Sequence, residues 1–152
     1  SMKNISEIIA TDSVHDLTAE TKDEALVELC DIAADSHAVI DHKKFLKAIR
    51  DREKIMSTGI GGGVAIPHSR TPSVKDFVIT VGRSKTGIDF ESLDGLPVNI
   101  IILMGSPERK KNEFLKLLGK IGKLLNEPYF KQDFLNAKST SEMSRMLVEN
   151  LE

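Results

Sequence analysis

Apolar and polar positions divide this chain into a helical first part, a β-rich middle and a helical last part. Residues 5–9 suit a short opening helix, and residues 14–17 a short strand. Over residues 22–34, Leu26, Leu29, Cys30 and Ala33 fall on one face at helical spacing. Thr21 and Glu24 form a capping-box pair ahead of that face, each able to satisfy a free amide of the first turn. A second helix follows Asp41. It turns Phe45 and Ile49 inward, Leu46 and Ala48 widen its apolar side, and Arg52 lies near its end.

The period then changes. Residues 64–66 make a short strand after a run of glycines, and residues 77–81 are rich in β-formers between polar segments. Residues 98–104 are almost continuously apolar and branched, the pattern of a central strand buried on both faces. Between these strands, residues 85–95 carry the turn formers Gly87, Asp94 and Gly95. Helical spacing returns with Phe114, Leu115, Leu117, Leu118, Ile121, Leu124 and Leu125. Pro128 starts or interrupts a short helix over residues 129–135. Ser139 or Ser141 caps a last helix through Met143, Met146 and Leu147. The order predicts an α/β fold with helices on both sides of a small mixed sheet.

Composition narrows the function classes. The chain has 152 residues, 40% hydrophobic and 29% charged, which suits one globular domain. A net charge of −2 and the short basic run Arg109-Lys110-Lys111, read as a solvated turn, give no footprint for a nucleic-acid partner. The single cysteine, Cys30, allows no internal disulfide and no cysteine metal cage. The apolar runs are too short to cross a bilayer and no secretory leader is visible, so direct membrane insertion is not expected and a cytoplasmic location is. Ser1-Met2 has the look of an extension ahead of the natural start, which leaves residues 3–152 as a single domain.

The chemistry concentrates in Gly59-Ile60-Gly61-Gly62-Gly63-Val64-Ala65-Ile66-Pro67-His68-Ser69-Arg70. A glycine-rich turn runs into a short strand that ends at Pro-His. Neutral imidazole is a good nucleophile near pH 7, and uncovered backbone amides can hold an anion. The pairing suggests a histidine that accepts a phosphoryl group. Competing motifs fail. A P-loop needs Gly-Lys-Ser/Thr where Val64-Ala65 follows Gly63, and a dinucleotide fingerprint needs glycine where Val64 stands. No Gly-x-Ser-x-Gly elbow occurs. His15, His37 and His42 are scattered and offer no ligand spacing to His68, so no metal is expected. Arg52 before the turn, Ser57 and Thr58 at its opening and Arg70 after it are the candidate hydrogen-bond donors to phosphate; an arginine fork can bind phosphate oxygens in pairs.

These residues resemble a known family. Arg52-Glu53-Lys54, Ser57-Thr58-Gly59-Ile60-Gly61 and Val64-Ala65-Ile66-Pro67-His68 are similar to the signature of type 2 enzyme IIA domains of the bacterial phosphoenolpyruvate-dependent phosphotransferase system, in its fructose/mannitol and nitrogen-regulatory branches. Ile88-Asp89-Phe90, Leu93-Asp94-Gly95 and Pro97-Val98 extend the likeness over nearly the whole chain. The resemblance implies a three-layer α/β/α sandwich around a small mixed β-sheet. It implies that His68 takes a phosphoryl group from an HPr-type phosphocarrier protein, with Arg52 near the phosphoryl group, and that no bound cofactor is needed because the donor is another protein. The group then passes to a IIB component, or stays as a regulatory mark. The absence of a fused IIB or membrane domain favours the nitrogen-type role. One departure stands out. The family commonly has a second active-site histidine early in the helix after the central strand; here Asn112-Glu113-Phe114-Leu115 puts Phe114 at that place, and no histidine follows His68. Phenylalanine can neither hydrogen-bond a phosphoryl oxygen nor share a proton. The rival expectation is a regulatory binding module that controls a partner by contact, with weakened phosphotransfer.

Overall fold

The computed structural model describes residues 4–152, and the reading of Ser1-Met2 as an extension lies outside them. The elements run α1 (Ile5–Ile8), β1 (Val14–Asp16), α2 (Lys22–Ala33), α3 (His42–Ile55), β2 (Gly59–Gly61), β3 (Val64–Ala65), β4 (His68–Arg70), β5 (Val78–Ile88), β6 (Val98–Ser106), α4 (Lys111–Leu125), α5 (Pro128–Asn136) and α6 (Thr140–Leu151). The sheet order is β1-β5-β6-β3-β2, and β4 also pairs with β6. The pairs β1–β5, β3–β6 and β4–β6 are parallel, while β5–β6 and β2–β3 are antiparallel.

The buried strand at the centre follows from its sequence. Along β6, Ile100, Ile102 and Met104 face a core built with α1, α4, α5 and α6; Ile101 and Leu103 face a second core built with α2 and α3. Alternation along one strand therefore serves two helical layers, which is the expected α/β/α sandwich. The capping box at Thr21 and Glu24 is present, Asp41 caps α3, Pro128 starts α5 rather than interrupting it, and Ser139 rather than Ser141 caps α6.

Three expectations change. β5 runs through the stretch read as a turn, because pairing with β6 carries it from Val78 to Ile88, with a register shift after Arg83 that absorbs Gly87 at φ +85°. The glycine-rich run is a β-hairpin, and β3 stops at Ala65, so His68 opens a separate strand instead of ending one. Lys110 is not simply solvated: its Nζ lies 3.0 Å from Asp76 Oδ1 and 5.5 Å from the centre of the Phe77 ring.

Candidate functional site

His68 stands where the chain crosses from β3 to β4 along one edge of β6. The Pro67 carbonyl accepts from the Met104 amide at 2.9 Å, and His68 pairs with Met104. The imidazole is half-buried. Its Nδ1 lies 2.7 Å from the carbonyl oxygen of Ile66. A carbonyl only accepts, so Nδ1 carries the proton and the Nε2 lone pair is left free. Burial pushes the His68 pKa below its ordinary value; the nearby Arg52 charge acts the same way, while the Ile66 hydrogen bond and Glu53 oppose it. The site therefore favours a neutral ring with one nucleophilic nitrogen.

Phe114, in the first turn of α4, packs against this ring with centroids 5.7 Å apart and planes inclined at 49°. The structure thus brings together the two residues that the sequence linked. Phe114 is also 2% exposed and part of the core under α4. Arg52 sits in the last turn of α3, half-buried, and its Nη1 donates to the Met56 carbonyl at 2.8 Å. Arg70 lies two residues beyond His68 on β4, exposed, with Nη1 directed to the Glu108 carbonyl at 3.3 Å.

Ser57 and Thr58 are placed differently from the expectation. The Ser57 hydroxyl donates to the Phe90 carbonyl at 2.6 Å, and the Thr58 hydroxyl donates to Glu53 Oε2 at 2.7 Å. Both hydroxyl protons are therefore committed to the protein itself rather than turned toward a phosphate. Two hairpin amides expected to be uncovered are also engaged: Gly59 donates to Ser57 Oγ at 3.1 Å and Gly62 to Asp94 Oδ2 at 3.0 Å. The Gly62 bond is the main cause holding the Asp94 carboxyl below its ordinary range. Among the described residues, no group of three His, Cys, Asp or Glu side chains is arranged to hold a metal, and no helix is long and apolar enough to cross a membrane.

Sequence reasoning passed over Glu53. It is buried at 6% exposure, accepts from the Thr58 amide and hydroxyl, and lies 3.1 Å from Lys22 Nζ. Its signal was present: Phe45, Ile49 and Glu53 recur at four-residue spacing, so a carboxylate continues the inward stripe of α3.

The chain is similar to known proteins along most of its length. A nitrogen regulatory protein of Bradyrhizobium diazoefficiens is 34% identical over 124 residues, 81% of this chain and 80% of that protein. The PTS system fructose-specific EIIABC component of Bacillus subtilis is 32% identical over 136 residues, 89% of this chain but 21% of that longer protein. The crystal structure of nitrogen regulatory protein IIA-Ntr from Neisseria meningitidis matches with a TM-score of 0.88 at 27% identity, covering 94% of this chain and 98% of that one. The family described as "Phosphoenolpyruvate-dependent sugar phosphotransferase system, EIIA 2" matches residues 7–150, and the chain belongs to it.

Proposed function

We propose that residues 3–152 act as one cytoplasmic phosphocarrier unit in which Nε2 of His68 accepts a phosphoryl group from phosphohistidine on an HPr-type protein. The observation that carries this reading is the 2.7 Å contact between Nδ1 and the Ile66 carbonyl, which leaves Nε2 as the attacking nitrogen. In the transfer, the Nε2 lone pair forms the new N–P bond as the donor's N–P bond breaks. The electron pair of the broken bond stays on the donor ring. Nδ1 of His68 keeps its proton, and its carbonyl partner stabilises the positive charge that develops on the ring. Arg52, whose charge reaches His68, supplies compensation for the phosphoryl oxygens. The group then passes to a IIB component or persists as a regulatory mark. The nitrogen-regulatory relatives support the second use and the fructose-specific relative the first.

Incubation with phosphoenolpyruvate, enzyme I and HPr is expected to give an acid-labile adduct on the wild type and none on His68→Ala. A wild type that gains no phosphate from a cognate HPr sinks the reading.

The contact-regulator alternative draws on Phe114, which offers the His68 ring an apolar face where a second hydrogen-bonding group would serve transfer. It expects a partner to bind wild type, His68→Ala and His68→Asp alike. Binding that depends on the state of residue 68 excludes it.

A further inference from the structure

Acceptance of a phosphoryl group at Nε2, the reading on which this inference rests, requires Nδ1 to keep its proton. A line of hydrogen-bonded residues, joined through the backbone of Ile66 and Thr58, leads from that proton to a buried carboxylate. His68 Nδ1 donates to the Ile66 carbonyl at 2.7 Å. The Ile66 amide donates to the Thr58 carbonyl at 3.0 Å. Thr58 is gripped twice by Glu53, amide to Oε1 at 2.7 Å and hydroxyl to Oε2 at 2.7 Å. Lys22 Nζ, at 3.1 Å from Oε1, supplies the opposite charge, and it also lies 5.0 Å from the centre of the Phe90 ring.

Position makes this line more than a local brace. Thr58 and Ile66 form the rung just outside the pairing of Gly59 with Ala65. Beyond that rung, the hairpin turns through Gly61, Gly62 and Gly63, all at positive φ, where side chains contribute nothing to stiffness. Pairing of β3 with β6 holds the Ile66 side of this rung, and the Thr58 side is fixed from the base of the hairpin. Glu53 is the group that does so, because its side chain is 3% exposed and water does not compete for its oxygens.

We propose that Glu53 is a positioning residue for His68. By clamping Thr58 it holds the Ile66 carbonyl against Nδ1 and keeps the ring in the Nδ1–H form with Nε2 free. Glu53 touches neither the ring nor the transferred group; it acts through Thr58 and Ile66.

Glu53 also carries a charge that His68 senses, so a charge effect must be separated from a positioning effect. Thr58→Val does this. It removes the hydroxyl bond to Oε2 but leaves both the carboxylate and the Thr58 backbone bonds in place. The test is long-range proton–nitrogen NMR of histidine-labelled protein at pH 7.5, which reads the protonation of each ring nitrogen. The wild type is expected to show the Nδ1–H form. Glu53→Gln and Thr58→Val are each expected to show a measurable Nε2–H share. They should also lose roughly tenfold in kcat for phosphoryl acceptance from phospho-HPr, with KM little changed. Wild-type tautomer populations in both variants overturn the proposal, as does an Nε2–H wild type. If Glu53→Gln fails to fold, Thr58→Val alone decides. A wild type that is never phosphorylated defeats the phosphocarrier reading, while the tautomer spectra still decide the role of Glu53.

Discussion

Burial pulls the His68 imidazole toward its neutral form, and the Arg52 guanidinium pushes the same way against the Ile66 hydrogen bond. The ring is expected to titrate below the ordinary histidine value of about 6.5. The sign for stability follows. Between the folded midpoint and about 6.5, the unfolded chain binds more protons than the folded one. The stability contributed by His68 is therefore present above about 6.5 and lost as pH falls through that window. NMR titration of the ring checks the midpoint, and urea unfolding of wild type and His68→Gln at pH 7.5 and 5.5 checks the slope, which should be shallower in the variant. Arg52→Ala should lower phosphoryl acceptance by about tenfold to a hundredfold, the value of one or two charge-assisted bonds to phosphate, measured with phospho-HPr as donor. Phe114→His should raise the transfer rate, because the new ring stands against His68. It should also cost about 1–3 kcal/mol of stability, since Phe114 is a core side chain and not merely an edge residue. An unchanged rate in a folded variant would refute the link between these two residues.

At the scale of elements, the hairpin beside the site is held from outside. The loop after β5 presses on β2: a Cβ at Gly59 would lie 2.2 Å from Ser92 Oγ, and the Leu93 amide donates to the Gly59 carbonyl at 3.2 Å. Asp94 takes the Gly62 amide, and Lys131 Nζ donates to the Gly62 carbonyl at 3.2 Å from α5. Gly59→Ala is expected to cost about 1–3 kcal/mol through overpacking. Adding Ser92→Gly should recover most of that loss in a double-mutant unfolding cycle; no recovery would show that the penalty lies elsewhere. The helices were largely legible in the sequence, because caps and apolar spacing are local: Thr21, Asp41, Pro128 and Ser139 mark their starts. The short strands β2 and β4 were not, because glycine, serine and arginine carry little β preference and these segments become strands only by pairing with β3 and β6. For the same reason the true length of β5 was hidden, and with it the place of Gly87 in a strand.

On the scale of the whole molecule, one buried cation ties sheet to helices. Arg83 on β5, 3% exposed, binds Asp16 of β1 in a fork, with Nε to Oδ1 at 2.7 Å and Nη2 to Oδ2 at 3.1 Å. Its Nη1 also reaches the carbonyls of Phe134, Leu135 and Ala137 at the end of α5. Of these, the Phe134 carbonyl also accepts from the Ala137 amide at 3.3 Å, and the guanidinium serves the rest of the helix terminus, so it closes α5 while it joins β1 to β5. Arg83→Lys should lower stability by about 2–4 kcal/mol, because an ammonium cannot serve the fork and the helix end together. Chemical denaturation of the two proteins measures this, and a loss within the error of the midpoint would show that the network is dispensable.

The sequence by itself determined helices on both sides of a mixed sheet, the starts of α2 and α3 and the identity of the candidate nucleophile. It did so because apolar periodicity, caps and the glycine-to-histidine segment are written in neighbouring residues. Tertiary structure alone decided which ring nitrogen of His68 is free and that the Ser57 and Thr58 hydroxyls are committed inward. It also decided that Glu53 and Arg83 are buried with a partner at each side-chain oxygen or nitrogen. Several of these depend on groups brought together from distant positions, such as Ser57 with Phe90, Lys22 with Glu53 and Arg83 with Asp16. Hydrogen bonds of that kind have no local signature; they exist only once the sheet has set its register.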